Sequence, residues 1–447
     1  MSVASAKPWP KMTSREEFRF LADLALTRSS GDETIVTLHD HHVGTTRFAN
    51  NQVIQNVDTR RGTLAVTVAF AGRHGTATTT DFTAGSIQET LVRADRIARI
   101  SPKDPEYLPP PEPQVFAVRE TARPETVAAG PMRRLEYANE AIGQCRMENL
   151  MAAGIVSSAV SSVGIAASNG LFGYEARTDA RFSITVQAGD ATGWGAAAHR
   201  SVDHLKIQER TLAAINKAKH GRDLSELPPG RYPVILEPAA VAGLWTWLLW
   251  SLDAKSYQKG TSPFAGTLGQ RIVDERLTLQ NLPGHADLLG VGFTPEGLPS
   301  ESSVWIDHGV LKQLAYDRFT AKVHGVKTIP ALEAPVLSAE GAASGTVQDL
   351  IKRTERAILV TNFWYIRSVN ASDLTLTGMT RDGTFLVEKG EIVSAVKNFR
   401  FHDSPLQVFQ HLDAWTAPIE AVTSETGKML VPSMALPQFN FSSVTRF

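Results

Sequence analysis

From Glu33 to Asp81, β-branched and polar residues alternate with a two-residue period, broken at Asn50-Asn51, Arg61-Gly62 and Gly72 to Gly75. That pattern predicts an antiparallel meander. The spacing changes at Gly85 to Ile100, which reads as an amphipathic helix. Pro131 to Met151 places Leu135, Ala138, Ile142 and Cys145 near helical spacing, so Cys145 is expected to face a core. Two strands, about Met151 to Asn169 and Leu171 to Ala188, are expected to turn at Asn169-Gly170, a strong hairpin dipeptide. A helix from about Val202 to His220 closes this half.

A proline-rich stretch, Ser101 to Gln114, lacks amide donors at its prolines and holds the chain extended, which marks a linker. A second boundary is read at Asp223 to Arg231. Beyond it come a short apolar strand, Tyr232 to Leu236, and a strongly apolar helix from Pro238 to about Lys255, with proline at the favoured first turn. A glycine-rich stretch, Lys259 to Gln270, leads into a series of strands. Ser303 to Ile306 and Val310 to Leu314 are joined by Asp307-His308-Gly309, and two more strands meet at Glu388-Lys389-Gly390.

The chain's 447 residues exceed the size at which one core stops growing, so two domains are expected, residues 1–226 and 227–447. Hydrophobic residues at 43% and charged residues at 20% are ordinary for a globular protein. A net charge of -1 gives no general attraction to nucleic acid or anionic lipid, and neither is expected as a partner. The single cysteine, Cys145, excludes an internal disulfide and reads as a buried small hydrophobe. The start, MSVASAKPWPKM, has no apolar h-region, and no apolar run of spanning length follows. A cytoplasmic protein is the expectation.

Generic catalytic motifs are missing. A helical zinc protease needs paired histidines on one face with glutamate as general base, and the chain has no His-Glu dipeptide. The cluster His39-Asp40-His41-His42 falls in a strand-turn region and reads as a solvated turn. His199 and His204 stand at a helix entry. Gly193-Trp194-Gly195 lacks the third glycine and the context of a dinucleotide loop, and no Gly-x-Ser-x-Gly elbow or P-loop occurs. Asp373, Asp382 and Asp403 lie in turn-like or strand-edge contexts that local hydrogen bonding explains. Trp245, Trp247 and Trp250 on one helix make a large apolar surface, suited to a core or a subunit interface.

Four stretches carry a resemblance. Lys259 onward, KGTSPFAGTLGQRIVDE, resembles the loop after the metal-binding helix of TldD-type proteases. Trp305 to Lys312, with Tyr316-Asp317-Arg318 and Gly325, is similar to the same family's hairpin and the turn that ends it. Thr377 to Phe385, continuing through Glu388, Gly390 and Ile392 to Lys397-Asn398-Phe399-Arg400, resembles the PmbA/TldE branch of the TldD/PmbA family. Arg47 to Asn56 is similar to its strand-turn-strand. The resemblance implies an α+β fold, with an N-terminal α+β domain built on an antiparallel sheet and a C-terminal, mainly antiparallel β domain. It also implies dimers enclosing a cavity.

In TldD-type relatives the helix before the Lys-Gly-Thr-Ser loop bears His-Glu-x-x-x-His, and a later cysteine adds a zinc ligand. A gapless match puts Trp245, Thr246 and Trp250 at those positions, and no residue from Tyr232 to Gln258 is His or Cys. The resemblance therefore implies a non-catalytic subunit without a cofactor of its own, paired with a TldD-like catalytic chain that holds zinc. Together they would cut unfolded peptides or leader peptides of modified-peptide precursors, with a homodimer possible when the partner is absent. Lys259, Gly260, Thr261 and Ser262 are the candidates for lining the shared cavity. Two other readings stand beside this one: a metalloprotease using His285, His308 or His324, and a non-enzymatic modulator of DNA gyrase.

Overall fold

The computed structural model describes residues 11–220, 224–423 and 427–445. Residues 1–10, which carry most of the sequence expected not to be a secretory signal, and Asp223 of the second boundary lie outside the described residues. No helix among the described residues is long and apolar enough to cross a membrane.

The first helix, α1 (Arg15–Leu26), starts with a capping box: the Ser14 hydroxyl accepts from the Glu17 amide, and the Glu17 carboxylate accepts from the Ser14 amide at 2.7 Å. Strands β1 (Glu33–Ala49), β2 (Gln52–Phe70) and β3 (Arg73–Thr79) then form the meander, followed by α2 (Ala84–Ile100). Asn50 and Asn51 turn the first hairpin at φ 50° and 58°, a left-handed conformation asparagine tolerates. Arg61-Gly62 is not a break. There β2 runs straight through, Arg61 opposite His41 and Gly62 opposite Asp40, and the glycine makes room for the Phe82 ring, 2.9 Å from where a Cβ would sit. The His39 to His42 cluster is likewise mid-strand rather than a turn.

A short helix, α3 (Pro124–Val127), precedes α4 (Pro131–Met147), which buries Cys145, and burial pushes its thiol up to about 11. Strands β4 (Met151–Ala167) and β5 (Phe172–Ala188) meet at the expected Asn169-Gly170 turn, and β6 (Ala191–His199) follows. Gly193 and Gly195 belong to β6, where a Cβ would strike the carbonyls of Ala214 and Arg210 on α5 (Ile207–His220). They permit close helix packing rather than phosphate binding. The helix expected from Val202 is split, because a 3-10 turn at Val202–His204 is separated from α5 by Lys206 at φ 49°.

These strands make a six-stranded sheet in the order β3-β2-β1-β4-β5-β6, every neighbour antiparallel. Strand alternation sends Val36, Leu38, Val156, Phe182 and Ile184 to the face covered by the helices. The opposite face keeps the odd-numbered residues of β1, β4 and β5.

The second half contains β7 (Leu224–Ser225), β8 (Gly230–Leu236), α6 (Pro238–Trp250), α7 (Ala254–Gln258), β9 (Leu277–Asn281), β10 (Ser303–Asp307), β11 (Val310–Leu311), α8 (Arg318–His324), β12 (Pro335–Ala339) and α9 (Val347–Lys352). It continues with β13 (Arg356–Asn370), β14 (Thr375–Glu388), β15 (Glu391–Val396), β16 (Phe399–Asp403), α10 (Pro405–Val408), β17 (Ala414–Trp415), β18 (Ile419–Thr423), β19 (Gly427–Val431) and β20 (Met434–Val444). Two sheets result, one of six strands and one of eight. Most pairings are antiparallel, but β8 with β13, β7 with β15 and β12 with β19 run parallel, so both sheets are mixed. The fold is α+β.

Candidate functional site

Helix α6 begins at Pro238, whose missing amide costs nothing in a first turn, and ends at Trp250, short of the expected Lys255. The chain stops being helical because Asp253 caps a new helix, α7, by accepting from the Ser256 amide at 2.8 Å. Trp245 is 0% exposed, in the core shared by both C-terminal sheets, with its ring 5.5 Å from Phe409. Thr246 is also buried, and its hydroxyl donates to the Ala242 carbonyl at 2.8 Å. Trp250, in contrast, is 51% exposed and meets Trp247 edge-on. The three positions therefore do not form one tryptophan-filled pocket: a helix turns about 100° per residue, so side chains five apart leave different faces.

After α7 the chain closes on itself. The amides of Thr261 and Ser262 both donate to the Ser256 carbonyl, and Gly260 takes φ 71°. Lys259, Gly260 and Thr261 are exposed, whereas Ser262 is buried. Its hydroxyl donates to the Ser251 carbonyl at 3.1 Å and accepts from the Phe264 amide. Ser262 thus stabilises the turn, and only the first three candidates face outward.

A different group of residues lines a cavity of about 490 Å³ between the open face of the N-terminal sheet and the second half. Antiparallel register sets His41, Ser161 and Arg177 side by side across β1, β4 and β5, with Ala159 and Asp179 beside them. The His41 ring lies 2.6 Å from the Ser161 hydroxyl, and Arg181 grips Asp179 through two bonds of 2.9 Å. Glu333 and Lys428 enter from the second half. Burial, then the nearby Arg177 guanidinium, holds both His39 and His41 below the usual histidine range. Burial pushes the Glu333 carboxyl above its usual range. This surface presents the His41 imidazole, the Ser161 hydroxyl, the Arg177 guanidinium and the Asp179 and Glu333 carboxyls, a set of donors and acceptors that suits hydrogen bonding to a polar chain.

Arg200 is buried at the cavity wall and donates to the carbonyls of Thr121 and Gly290 rather than to a carboxylate. Lys428 pairs with Glu420 at 3.1 Å. The sequence reading missed this cluster, although Glu175, Arg177, Asp179 and Arg181 stand at every second position of β5. Charges at a two-residue period mark a polar sheet face.

Other candidates are dispersed. His199 stacks on His204, ring centroids 4.5 Å apart. Asp373 and Asp403 accept local amides as expected, from Thr375 at 2.9 Å and from Ser404 at 2.9 Å. Asp382 differs: it is buried inside β14 at φ 55°, and its carboxyl is raised by burial. His308 is exposed beside Asp307 and Glu340, and His324 is exposed at the end of α8. Among the described residues no three His, Cys, Asp or Glu side chains are grouped to hold a metal ion. Nor do indole and threonine hydroxyl at positions 245, 246 and 250 fit zinc, which takes imidazole, thiolate or carboxylate donors.

Residues 125–220 match the PmbA/TldA metallopeptidase central domain, and residues 229–443 match the PmbA/TldA metallopeptidase C-terminal domain. A metalloprotease TldD homolog of Buchnera aphidicola from Acyrthosiphon pisum is 24% identical over 230 residues, 47% of this chain and 45% of that protein. Another, from the Schizaphis graminum strain, is 24% identical over 262 residues, 54% of this chain and 50% of that protein. The chain spans about half the length of these curated relatives. TldE from Thermococcus kodakarensis superposes with a TM-score of 0.85 at 19% identity, covering 96% of this chain and 100% of that one. A proposed modulator of a DNA gyrase from Thermotoga maritima gives 0.84 at 18% identity, covering 95% and 99%. At such identity these two likenesses speak for the fold, which the domain matches place by sequence: the chain belongs to the TldD/PmbA family.

Proposed function

We propose that this chain is a TldE/PmbA-like subunit of a TldD/TldE-type metallopeptidase complex that cleaves unfolded peptides or the leader peptides of modified-peptide precursors. In this reading it acts in the cytoplasm, encloses and holds the peptide, and leaves hydrolysis to a TldD-like partner carrying zinc. The observation that carries the reading is the set Trp245, Thr246 and Trp250. They stand on the helix before the Lys-Gly-Thr-Ser loop, where catalytic relatives have His-Glu-x-x-x-His, and Trp245 and Thr246 are packed into the core. An imidazole or carboxylate at 245 would be desolvated there among apolar neighbours such as Phe409. The polar cavity beside β5 supports a peptide-holding role, since an unfolded chain brings backbone donors and acceptors that such a wall can satisfy.

Co-expression with a TldD-like chain tests this directly. A stable heterodimer that cleaves an unfolded peptide is expected, together with no cleavage by this chain alone after metal loading. Peptidase activity of the isolated chain, or an active partner that never associates with it, would overturn the reading.

A further inference from the structure

Glu175, Arg177, Asp179 and Arg181 share one face of β5, and three of the four are committed to partners within the chain. Asp179 accepts two bonds of 2.9 Å from Arg181, and one Glu175 carboxylate oxygen accepts the Gly292 amide at 3.0 Å. Arg177 differs. Among the described residues its guanidinium makes no hydrogen bond and no ion pair, although it lines the cavity with Asp179 and Glu333. The carboxylates on either side of it along the strand are thus already taken, and Glu333 stands beyond ion-pair distance.

A second guanidinium walls the same cavity. Arg200 is 6% exposed, and its bonds run to the backbone carbonyls of Thr121, Thr178 and Gly290. Those carbonyls satisfy its N–H groups, but no carboxylate among the described residues lies within ion-pair distance, so its charge has no counter-charge in contact. Burial lowers Arg200 from the usual arginine range; Glu175 opposes this, and the Arg177 charge adds to it. The two cations therefore act on each other across the site. Lys428 is paired with Glu420 at 3.1 Å, which leaves Arg177 and Arg200 as the charges in excess. An anion entering the cavity relieves their repulsion and supplies what both lack.

We propose that this cavity takes a carboxylate of the bound peptide on the Arg177 guanidinium, with the charge of Arg200 reinforcing it, an inference that rests on the peptide-holding role given above. The planar fork of arginine matches a carboxylate through two parallel bonds. Strand register sets Ser161 beside Arg177 and His41 beside Ser161, with the imidazole and hydroxyl 2.6 Å apart. Whichever of that pair donates in the bond they share, a neutral imidazole and a hydroxyl together keep one N–H or O–H for a ligand. The cavity's volume of about 490 Å³ lies within the range of small-ligand clefts, roughly 300–1,000 Å³. Two groups of a peptide carry the required chemistry: its C-terminal carboxylate and the side chain of an acidic residue. Peptides with neither are the poor ligands.

The test uses the full chain and calorimetric titration with three unlabelled, N-acetylated peptides of about ten residues and one uncharged sequence. One ends in a free carboxylate, one in a carboxamide, and the third is the carboxamide with a single glutamate at its centre. The free acid, the glutamate peptide or both should bind roughly tenfold tighter than the uncharged carboxamide, as a charge-assisted bond does, and which of them gains identifies the source of the carboxylate. Arg177→Gln is expected to erase that gain while leaving the uncharged peptide's affinity where it was. A merely structural role would weaken all three together. Equal binding of the three by the wild-type chain, no binding by it, a gain that survives Arg177→Gln, or a uniform loss in that variant overturns the proposal. Each of these outcomes leaves heterodimer formation and cleavage to be judged by co-expression, so a failed carboxylate site and a failed subunit reading are distinguishable.

Discussion

Helix α6 and strand β5 carry comparably plain sequence patterns and opposite surroundings. α6 is apolar almost all round and ends with Trp245 sealed in the core and Trp250 at the surface. β5 alternates, with Phe182 and Ile184 under the helices and Arg177, Asp179 and Arg181 facing a cavity. The first region has traded donors for packing; the second keeps charged groups, one of them the Arg177 guanidinium, which forms no hydrogen bond or ion pair among the described residues. A region that spends its side chains on packing serves stability, and one that leaves them available serves a ligand. The candidate ligand-facing surface is thus on the N-terminal sheet, and the helix to which the family resemblance directs attention is given over to packing.

The sharpest way to break this contrast is Trp245→Ala. Truncating a fully buried aromatic should cost about 3–5 kcal/mol of folding stability, read by denaturant unfolding. Trp250→Ala should change it by no more than about 0.5 kcal/mol, as exposed substitutions do. Any larger role for Trp250 would then be seen only in assembly with a partner. Equal losses at both positions would mean that the inner and outer ends of α6 are not distinguished by packing.

A smaller effect is expected at the loop after α7. Gly260 holds φ 71° with open space around it, so Gly260→Val should cost about 1–2 kcal/mol from the left-handed backbone alone. Ser262→Ala loses two hydrogen bonds that hold the turn and should cost a similar amount, roughly 1–2 kcal/mol. If Ser262 instead contacts substrate, its variant should lower peptidase rate in the complex while leaving the melting temperature unmoved. That pattern would restore the cavity role expected for all four loop residues.

Much of the architecture was legible. The two-residue period located the meander of β1 to β3, the Asn169-Gly170 dipeptide marked the hairpin of β4 and β5, and Asn50-Asn51 turns as its chemistry requires. What failed did so for reasons that lie across space. Gly62 resembles a break until β1 is paired with it and Phe82 packs over it. Lys206 takes a positive φ that its side chain does not announce. The end of α6 was concealed by its own uniform hydrophobicity, although Asp253 three residues before Ser256 is a readable cap. The cavity was less legible than the fold, because each strand contributes only a few of its residues and Arg200 and Glu333 arrive from distant segments. The alternating charges of β5 were visible throughout; what they faced was not.

The smallest predicted effect concerns Arg177 and acid. His39 and His41 are held low by burial first and by the Arg177 charge second. Above their ordinary value of 6.5 neither folded nor unfolded chain holds a proton on them, and they contribute nothing to stability. Below it the unfolded chain binds protons that the folded one refuses, so stability falls as pH falls through that window. Glu333 acts with the opposite sign. Its raised carboxyl is destabilising when ionised, and that cost is relieved as pH falls through its folded value, above the ordinary 4.5. Replacing Arg177 with Gln removes the cation that opposes protonation of both imidazoles, so their NMR titrations should move upward and the loss of stability as pH falls below 6.5 should become shallower. Burial remains in the variant, so the slope should lessen without vanishing. An unchanged slope, with unmoved imidazole titrations, would detach Arg177 from the histidines and remove the electrostatic half of the argument that β5 faces a working cavity.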